Sequence, residues 1–247
     1  MMRHAMQAVI ALALASIVTQ AFAAVPPAAR IETLTGRVSL GDVVAACART
    51  AGPDQAGAVV IQGDLRDANC TATLEVPCAV QLDGSAGVHL TNCQLDSETL
   101  NLDDSASASG RNVVQLTNVR FVGRADAGLL IQLTDPDDEI RIESSALDYP
   151  LGIALHALGS RTLPDHGGTV RANATTFTAS GPTSAGLVVT ASTSGGEVSV
   201  ANPKITAPSI VMVADDCRAV IGGKPIDCDV STLAADLRQQ AHVVDGD

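Results

Sequence analysis

The stretch VVQLTNVRF, residues 113–121, decides the fold because the chain repeats its pattern. GVHLTNCQL, residues 87–95, carries the same Leu-Thr-Asn 26 residues earlier, and looser copies follow in IRIESSAL, VRANATTF and VSVANPKI. When the copies are aligned on their second apolar position, the spacings are 26, 26, 30 and 28 residues. Five copies in register indicate a structural repeat. The aligned positions are Leu90, Leu116, Ile142, Ala172 and Val200.

Each copy predicts a short strand, a sharp turn and a second short strand. Alternation places both apolar residues of the first strand on one face. Asn92, Asn118 and Asn202 stand at the turn, where asparagine tolerates left-handed backbone and bonds locally. A unit of this length buries its apolar face only by stacking on its neighbours. The second strand supplies one more apolar residue per copy: Leu95, Phe121, Leu147, Phe177 and Ile205.

A second series of strands, mostly opened by glycine, alternates with the first. GLLIQLT, GIALHAL and GLVVTAS begin at Gly128, Gly152 and Gly186, and SIVMVAD begins at Ser209. CAVQLDG and ETLNLDD fill the equivalent place in earlier repeats. Each repeat therefore carries three short strands and no helical pattern. The sequence predicts an all-β fold, a single-stranded parallel β-helix of about six coils.

The pattern VxLTNxxF followed by a GIxLxx strand resembles the right-handed parallel β-helix repeats of the pectate-lyase-like superfamily. The resemblance covers about Val59 to Ala214. It implies a right-handed coil. It says little about chemistry, because many unrelated activities share this architecture.

The two ends of the chain predict export and capping. Residues 1–23 resemble a signal peptide, with Arg3 before an apolar run and Ala21-Phe22-Ala23 as the cleavage site. Residues 24–58 hold a predicted cap helix, SLGDVVAACA, and residues 59–214 the β-helix. Residues 215–247 hold a disulfide-tied hairpin, CRAVIGGKPIDC, and a second cap helix, STLAADLRQQAHVV. We expect a secreted, periplasmic or cell-surface protein with no membrane span once the signal is removed.

The cysteines also indicate an exported protein. An even number in an exported chain predicts disulfides, and proximity along the chain favours Cys47–Cys70, Cys78–Cys93 and Cys217–Cys228. Zinc is the competing interpretation, but no CxxC or HxxxH spacing supports it.

The amino-acid composition limits the classes of partner that the chain is expected to bind. The formal net charge of −12 argues against nucleic acid and anionic membranes. A protein or polysaccharide partner is compatible with it. Four residues predicted to face outward on the glycine-initiated strands form an apolar stripe, which we expect a partner, a second copy or the chain's own tail to cover. They are Leu130, Val188, Val211 and Val213.

In the lyases and hydrolases of the superfamily that these repeats resemble, the active site usually lies over the outer face of the glycine-initiated strands. Polysaccharide lyases need a base and cations, and glycoside hydrolases need two facing carboxyl groups. Both predicted outward rows lack carboxylate, Lys and Arg, which favours a non-catalytic scaffold or binding module. The first row is Gln81, Asn101, Gln132, His156, Thr190 and Val213; the second is Ala79, Thr99, Leu130, Ala154, Val188 and Val211.

The alternative is a polysaccharide lyase or glycoside hydrolase whose site lies in the loop at residues 155–168, where the repeat lengthens to 30 residues. His156, Arg161, Asp165 and His166 gather there and could perform acid–base chemistry. A solvated loop with a Pro-Asp turn would contain the same residues.

Two charged groups are further candidate sites. DPDDE supplies oxygen ligands for calcium in Asp135, Asp137, Asp138 and Glu139, or is a plain acidic turn. The outward arginines and lysine could hold an anionic chain, or could pair locally with Glu143, Asp148 and other acids. These basic candidates are Arg120, Arg141, Arg171 and Lys204.

Overall fold

The structure is a computed structural model. It describes residues 30–104, 110–135, 137–158, 167–191, 196–208, 210–213, 219–221 and 224–225. No helix within these ranges is long and apolar enough to cross a membrane. The predicted signal peptide, the second cap helix and the Cys217–Cys228 pair lie outside the described residues.

The described chain begins with a strand and a helix that pack on the first coil. Strand β1 (Glu32–Val38) pairs in parallel with β2 (Gly57–Ala68), and helix α1 (Leu40–Thr50) joins them. A capping box begins this helix, since Ser39 Oγ accepts from the Asp42 N–H and the Asp42 carboxylate accepts from the Ser39 N–H. The apolar face of α1 is buried in the same core as the coils.

The coils have three faces, and each face is a column of parallel strands. The glycine-initiated face, which begins with the first half of β2, consists of β4 (Cys78–Leu82), β7 (Leu100–Asp103), β10 (Gly128–Leu133), β13 (Gly152–Ala157), β16 (Leu187–Ala191) and β19 (Ile210–Val213). The second face, which begins with the other half of β2, consists of β5 (Gly87–Thr91), β8 (Val113–Thr117), β11 (Glu139–Glu143), β14 (Thr169–Asn173), β17 (Glu197–Ala201) and β20 (Ala219–Ile221). The third face consists of β3 (Thr71–Leu74), β6 (Gln94–Ser97), β9 (Arg120–Gly123), β12 (Ala146–Asp148), β15 (Thr176–Thr178) and β18 (Lys204–Thr206).

These columns confirm the predicted architecture, a parallel β-solenoid of six coils with one third-face strand in each. Because β2 runs through two faces, the first and second faces form one continuous sheet. The final strand, β21 (Lys224–Pro225), pairs antiparallel with β20, as a hairpin requires.

A left-handed residue marks the turn between the second and third faces in every coil, and we call it the Asn turn. Its φ is between 49° and 55° throughout, including the copies in which serine or alanine replaces asparagine. The asparagines also form a ladder, because Asn92 Nδ2 donates to Asn69 Oδ1 and Asn118 Nδ2 donates to Asn92 Oδ1. The six residues of the Asn turn are Asn69, Asn92, Asn118, Ser144, Ala174 and Asn202.

The first coil contains a further copy of the repeat that the sequence analysis did not identify. LRDANC supplies this copy, with Asp67 aligned to Leu90 and the spacing shortened to 23 residues. Asp67 is tolerated at this core-facing position because its carboxylate accepts a hydrogen bond from the Leu40 N–H at the start of α1. Gly63 lies at the bend of β2, where a Cβ atom would come within 2.2 Å of the Gly36 carbonyl oxygen.

The core is aliphatic and continuous through the coils. Within the described strands most inward residues of the three faces are almost fully buried, and at a coil spacing of about 4.8 Å they stack on their counterparts in the next coil. The buried hydroxyl of Tyr149 is 2.8 Å from Ser97 Oγ. Burial raises the pKa of Tyr149.

The described residues contain two disulfides, and their pairing corrects the one expected from proximity. Cys47 of α1 bonds to Cys78 at the start of β4, and Cys70 bonds to Cys93. Cys70 and Cys93 each follow an Asn turn, so the repeat stacks them with their Cα atoms 4.5 Å apart. Structural equivalence between coils, and not distance along the chain, decides this pairing.

Candidate functional site

The outward rows of the glycine-initiated face contain a carboxylate that the sequence analysis missed. The register places Asp103 between Gln81 and Gln132, and moves Asn101 into the neighbouring row beside Ala79. The predicted faces were correct, but β7 was displaced by two residues along its axis. We call the corrected row the amide row, and it contains Val60, Gln81, Asp103, Gln132, His156, Thr190 and Val213.

His156 is the other ionisable group of the amide row, and it is buried. Its residue is 3% exposed, and burial lowers the pKa of the imidazole to about 4. The ring is therefore neutral at physiological pH. Its three predicted catalytic companions, Arg161, Asp165 and His166, lie outside the described residues.

Two residues of the predicted apolar stripe, Leu130 and Val188, are buried and do not form an exposed patch. Leu130, Ala154 and Val188 form a small buried cluster, separate from the coil interior, against which Ala185 packs. The adjacent Asn101 has a buried Oδ1 with no hydrogen-bond partner. Val211 continues this neighbouring row by register, and Val213 ends the amide row.

A second cluster of polar side chains lies where the chain leaves β7 and β10 for the second face. Asp104 and Asp135 follow these strands, while Asn112 and Asp138 precede β8 and β11. All four residues are at most 7% exposed. We call this group the acid corner. It brings together two coils and three carboxyl groups at one buried position.

Short hydrogen bonds hold the acid corner in place. Asp138 accepts from the N–H groups of Asn112 and Asp135 at 2.7 and 2.6 Å. Asp104 accepts from the N–H and the hydroxyl of Thr134. The Asn112 amide donates from Nδ2 to Asp104 at 3.1 Å and to Asp135 at 3.5 Å, but its buried Oδ1 has no partner.

Burial and the neighbouring carboxyl change the protonation of Asp138. Removal from water, followed by its hydrogen bond with Asp104, raises the pKa of Asp138 to about 9. Asp138 therefore keeps its proton at neutral pH. The acid corner shares one proton between two carboxyl groups, and this removes one negative charge from the interior.

The four calcium candidates of DPDDE separate into different environments. Asp135 and Asp138 belong to the acid corner, whereas Asp137 is exposed at a left-handed turn position. Glu139 is buried and faces the second sheet face, where three arginines surround it. Across the part of the chain that the structure describes, no three acidic, histidine or cysteine side chains form a ready-made metal site.

The basic candidates do not converge on one site. Arg141 and Arg171 are adjacent on β11 and β14 and both contact Glu139, which also binds Arg111; Arg171 reaches Glu197 as well. Local pairing thus occurs, but with Glu139 and Glu197 rather than with Glu143. Arg120 and Lys204 lie on the third face, separated by two strands.

Asp104 and Asn112 escaped sequence analysis because they lie outside the repeat pattern. DPDDE signalled one half of the acid corner. The other half follows from register, since Asp103 ends β7 opposite Gln132 of β10, and Asp104 and Asp135 follow these two strands.

Comparison with known proteins places no further constraint on the site. No protein-family model, curated protein or solved structure matches the chain.

Proposed function

We propose that this chain is an exported, right-handed parallel β-helix that acts as a non-catalytic scaffold or binding module of the periplasm or cell surface. In this proposal α1 caps the first coil, and the predicted helix at residues 231–244 caps the other end. The two disulfides are compatible with an extracellular location.

The observation that supports the proposal most strongly is the amide row. Gln81 and Gln132 flank Asp103 on consecutive coils, which are about 4.8 Å apart. An amide both donates and accepts hydrogen bonds, so such a row suits the hydroxyl groups of an extended polysaccharide. The spacing is also comparable to the length of one sugar ring.

The state of His156 also favours binding over catalysis. A general base works best when its pKa lies near the operating pH, and the pKa of this buried imidazole is about 4. Across the described strands of the amide row there is one carboxylate, Asp103, whereas a glycoside hydrolase needs two.

A second candidate function is a polysaccharide lyase or glycoside hydrolase with its site at residues 155–168. The specific observation in its favour is that Asp103 and His156 occupy the same row, two strands apart with Gln132 between them. Arg161, Asp165 or His166 would have to complete such a site.

Turnover measurements distinguish the two functions. We would incubate the mature, oxidised protein with pectin, alginate and a glycosaminoglycan, with and without calcium, and follow new reducing ends and unsaturated sugars. The proposal predicts binding without products. Products that disappear in His156→Ala, with folding preserved by circular dichroism, would establish the enzyme instead.

A further inference from the structure

An open cleft lies at the corner between the glycine-initiated face and the second face, at the N-terminal end of the solenoid. The bends of β1 and β2 and the turn that follows β4 form its walls. Its volume of about 580 Å³ is in the range of small-molecule sites. We call it the arginine cleft, and its lining residues are Gly36, Arg37, Gly63, Asp64, Arg66 and Ser85.

Two glycines give the arginine cleft a floor of bare main chain. Gly36 and Gly63 are paired across β1 and β2. Gly36 has a φ of 76°, which favours glycine, and a Cβ atom there would meet no other atom within 4 Å. A ligand can therefore approach the main chain closely at this bend.

The side chains of the arginine cleft carry an excess of positive charge. Arg66 forms an ion pair with Asp64, with Nη2 at 2.9 Å and Nε at 3.0 Å from the same Oδ2. Asp64 Oδ1 accepts from the Gly87 N–H, so both carboxylate oxygens are engaged. Arg37 lies opposite Asp64 in the register of β1 and β2, yet within the described residues it forms no hydrogen bond or ion pair. The cleft thus holds two guanidinium groups and one carboxylate, in a chain whose formal net charge is −12.

This donor set selects an anion. Guanidinium groups bind oxyanions through paired N–H donors, and Asp64 already holds the head of Arg66 in place, so binding orders little that was mobile. One guanidinium fork fills a planar carboxylate, whereas the oxygens of a tetrahedral sulfate or phosphate can accept from two guanidinium groups at once. The hydroxyl of Ser85 supplies one more donor.

We propose that the arginine cleft binds a tetrahedral oxyanion, a sulfate or phosphate group, through Arg37, Arg66 and Ser85. Asp64 acts as a positioning residue for Arg66. The group is a free anion or an ester carried by a saccharide. The site lies outside the amide row and does not depend on the function proposed for that row.

The test follows isotope-labelled, mature and oxidised protein by NMR. The main-chain amide signals of Gly36 and Gly63 and the Nε–Hε signal of Arg66 report on the cleft directly. Sodium sulfate and sodium phosphate are titrated, with sodium chloride at the same ionic strength as the control. We expect these signals to shift saturably with sulfate or phosphate but not with chloride. A dissociation constant of about 1 mM or tighter is expected from a few charge-assisted hydrogen bonds.

Arg37→Gln and Arg30→Gln form a matched pair, because each removes one exposed guanidinium group beside β1. Arg30 precedes the strand, whereas Arg37 lies near its other end, in the cleft. We expect Arg37→Gln to weaken sulfate binding about tenfold through the loss of one charge-assisted contact, and Arg30→Gln to leave it unchanged. Urea denaturation checks that both variants are as stable as the wild type.

Three results would overturn the proposal. They are the absence of a saturable shift up to about 10 mM sulfate or phosphate, an equal shift with chloride, and an affinity that Arg37→Gln does not lower more than Arg30→Gln does.

Two further titrations distinguish the sources of the anion. Glucose 6-sulfate carries a sulfate ester, and glucose carries none. Binding of the ester at least as tightly as inorganic sulfate would support a saccharide ester as the ligand, and binding of inorganic sulfate alone would support a free anion. Equal binding of glucose and glucose 6-sulfate would overturn the proposal, because the anionic group would then not be recognised.

Discussion

The Asn turn and the acid corner lie at different corners of the coil, and they differ in exposure and in how often they recur. The Asn turn recurs in all six coils with the same left-handed backbone, on the exposed side of the solenoid. The acid corner occurs at two coils and is buried. The comparison indicates that the repeated positions specify the fold, while this buried cluster of carboxyl groups lies where the repeat is broken.

The largest loss of stability is expected from a substitution in the repeated core beneath the Asn turn. Leu116 is 1% exposed and stacks between Leu90 and Ile142. We expect Leu116→Ala to lower the free energy of unfolding by about 2–5 kcal/mol, because it leaves a cavity inside the coil. Urea denaturation measures it, with the outward Gln115→Ala as the control. Equal effects for the two variants would show that the assignment of inward and outward faces is wrong.

The disulfide that joins two Asn turns should contribute nearly as much to the free energy of unfolding. Replacing Cys70 and Cys93 together by alanine releases a closed loop of 23 residues, and we expect a loss of about 3 kcal/mol. The measurement is thermal unfolding of the oxidised double variant. If peptide mapping instead finds Cys47 joined to Cys70, the stacking of equivalent turn positions is incorrect.

A smaller loss of stability is expected from a substitution in the Asn turn itself. Asn118→Ala removes the donor to Asn92 and places a Cβ-bearing residue without a local hydrogen bond at a φ of 52°, at a cost of about 1–2 kcal/mol. Asn118→Gly is the matched variant, since glycine adopts this backbone freely and loses the ladder bond alone. We expect the glycine variant to be the more stable of the two. The reverse order would argue against a left-handed turn.

The acid corner should make the free energy of unfolding depend on pH. The folded pKa of Asp138, about 9, lies above its ordinary value of 3.8, so the folded chain holds a proton that the unfolded chain releases between these values. The contribution of this group is complete below pH 4 and is lost as the pH rises toward 9. Asp138→Asn should flatten this slope in chemical denaturation. An unchanged slope would place the proton elsewhere.

The ionisation of His156 should make the free energy of unfolding depend on pH in the opposite direction. Its folded pKa of about 4 lies below the ordinary 6.5, so its stabilising contribution is present above pH 6.5 and is lost as the pH falls toward 4. His156→Gln keeps a polar side chain that does not titrate and should reduce the acid sensitivity. We expect a smaller change than for Asp138, because the two pKa values of His156 are closer together. Acid sensitivity equal to that of the wild type would contradict a buried, neutral imidazole.

The difference between the corners also explains what the sequence could predict. The Asn turns, the apolar stacking and the three faces follow from periodicity, because each copy supplies independent support for the same register. Asp103 was misplaced because ETLNLDD has the right alternation but no turn residue that fixes its position along the strand. Cys70 was mispaired because Asp67 hides the first copy of the repeat.

The acid corner was beyond sequence analysis for a different reason. Its four side chains come from segments up to 34 residues apart, and they meet because coils stack, not because their local pattern is distinctive. DPDDE indicated acidic ligands, but it could not distinguish the buried Asp138 from the exposed Asp137. Such a distinction requires knowledge of which loop residues turn inward.

The most direct test of the proposed function is binding by two glutamines on different faces. Gln132 lies in the amide row and Gln115 on the second face, and both are half-buried on central strands. We would compare wild type, Gln132→Ala and Gln115→Ala by affinity electrophoresis in gels containing pectin, alginate or a glycosaminoglycan. The account predicts that one polymer retards the wild type and Gln115→Ala, and that Gln132→Ala loses this retardation. Equal retardation of all three proteins, or retardation lost in Gln115→Ala alone, would contradict it.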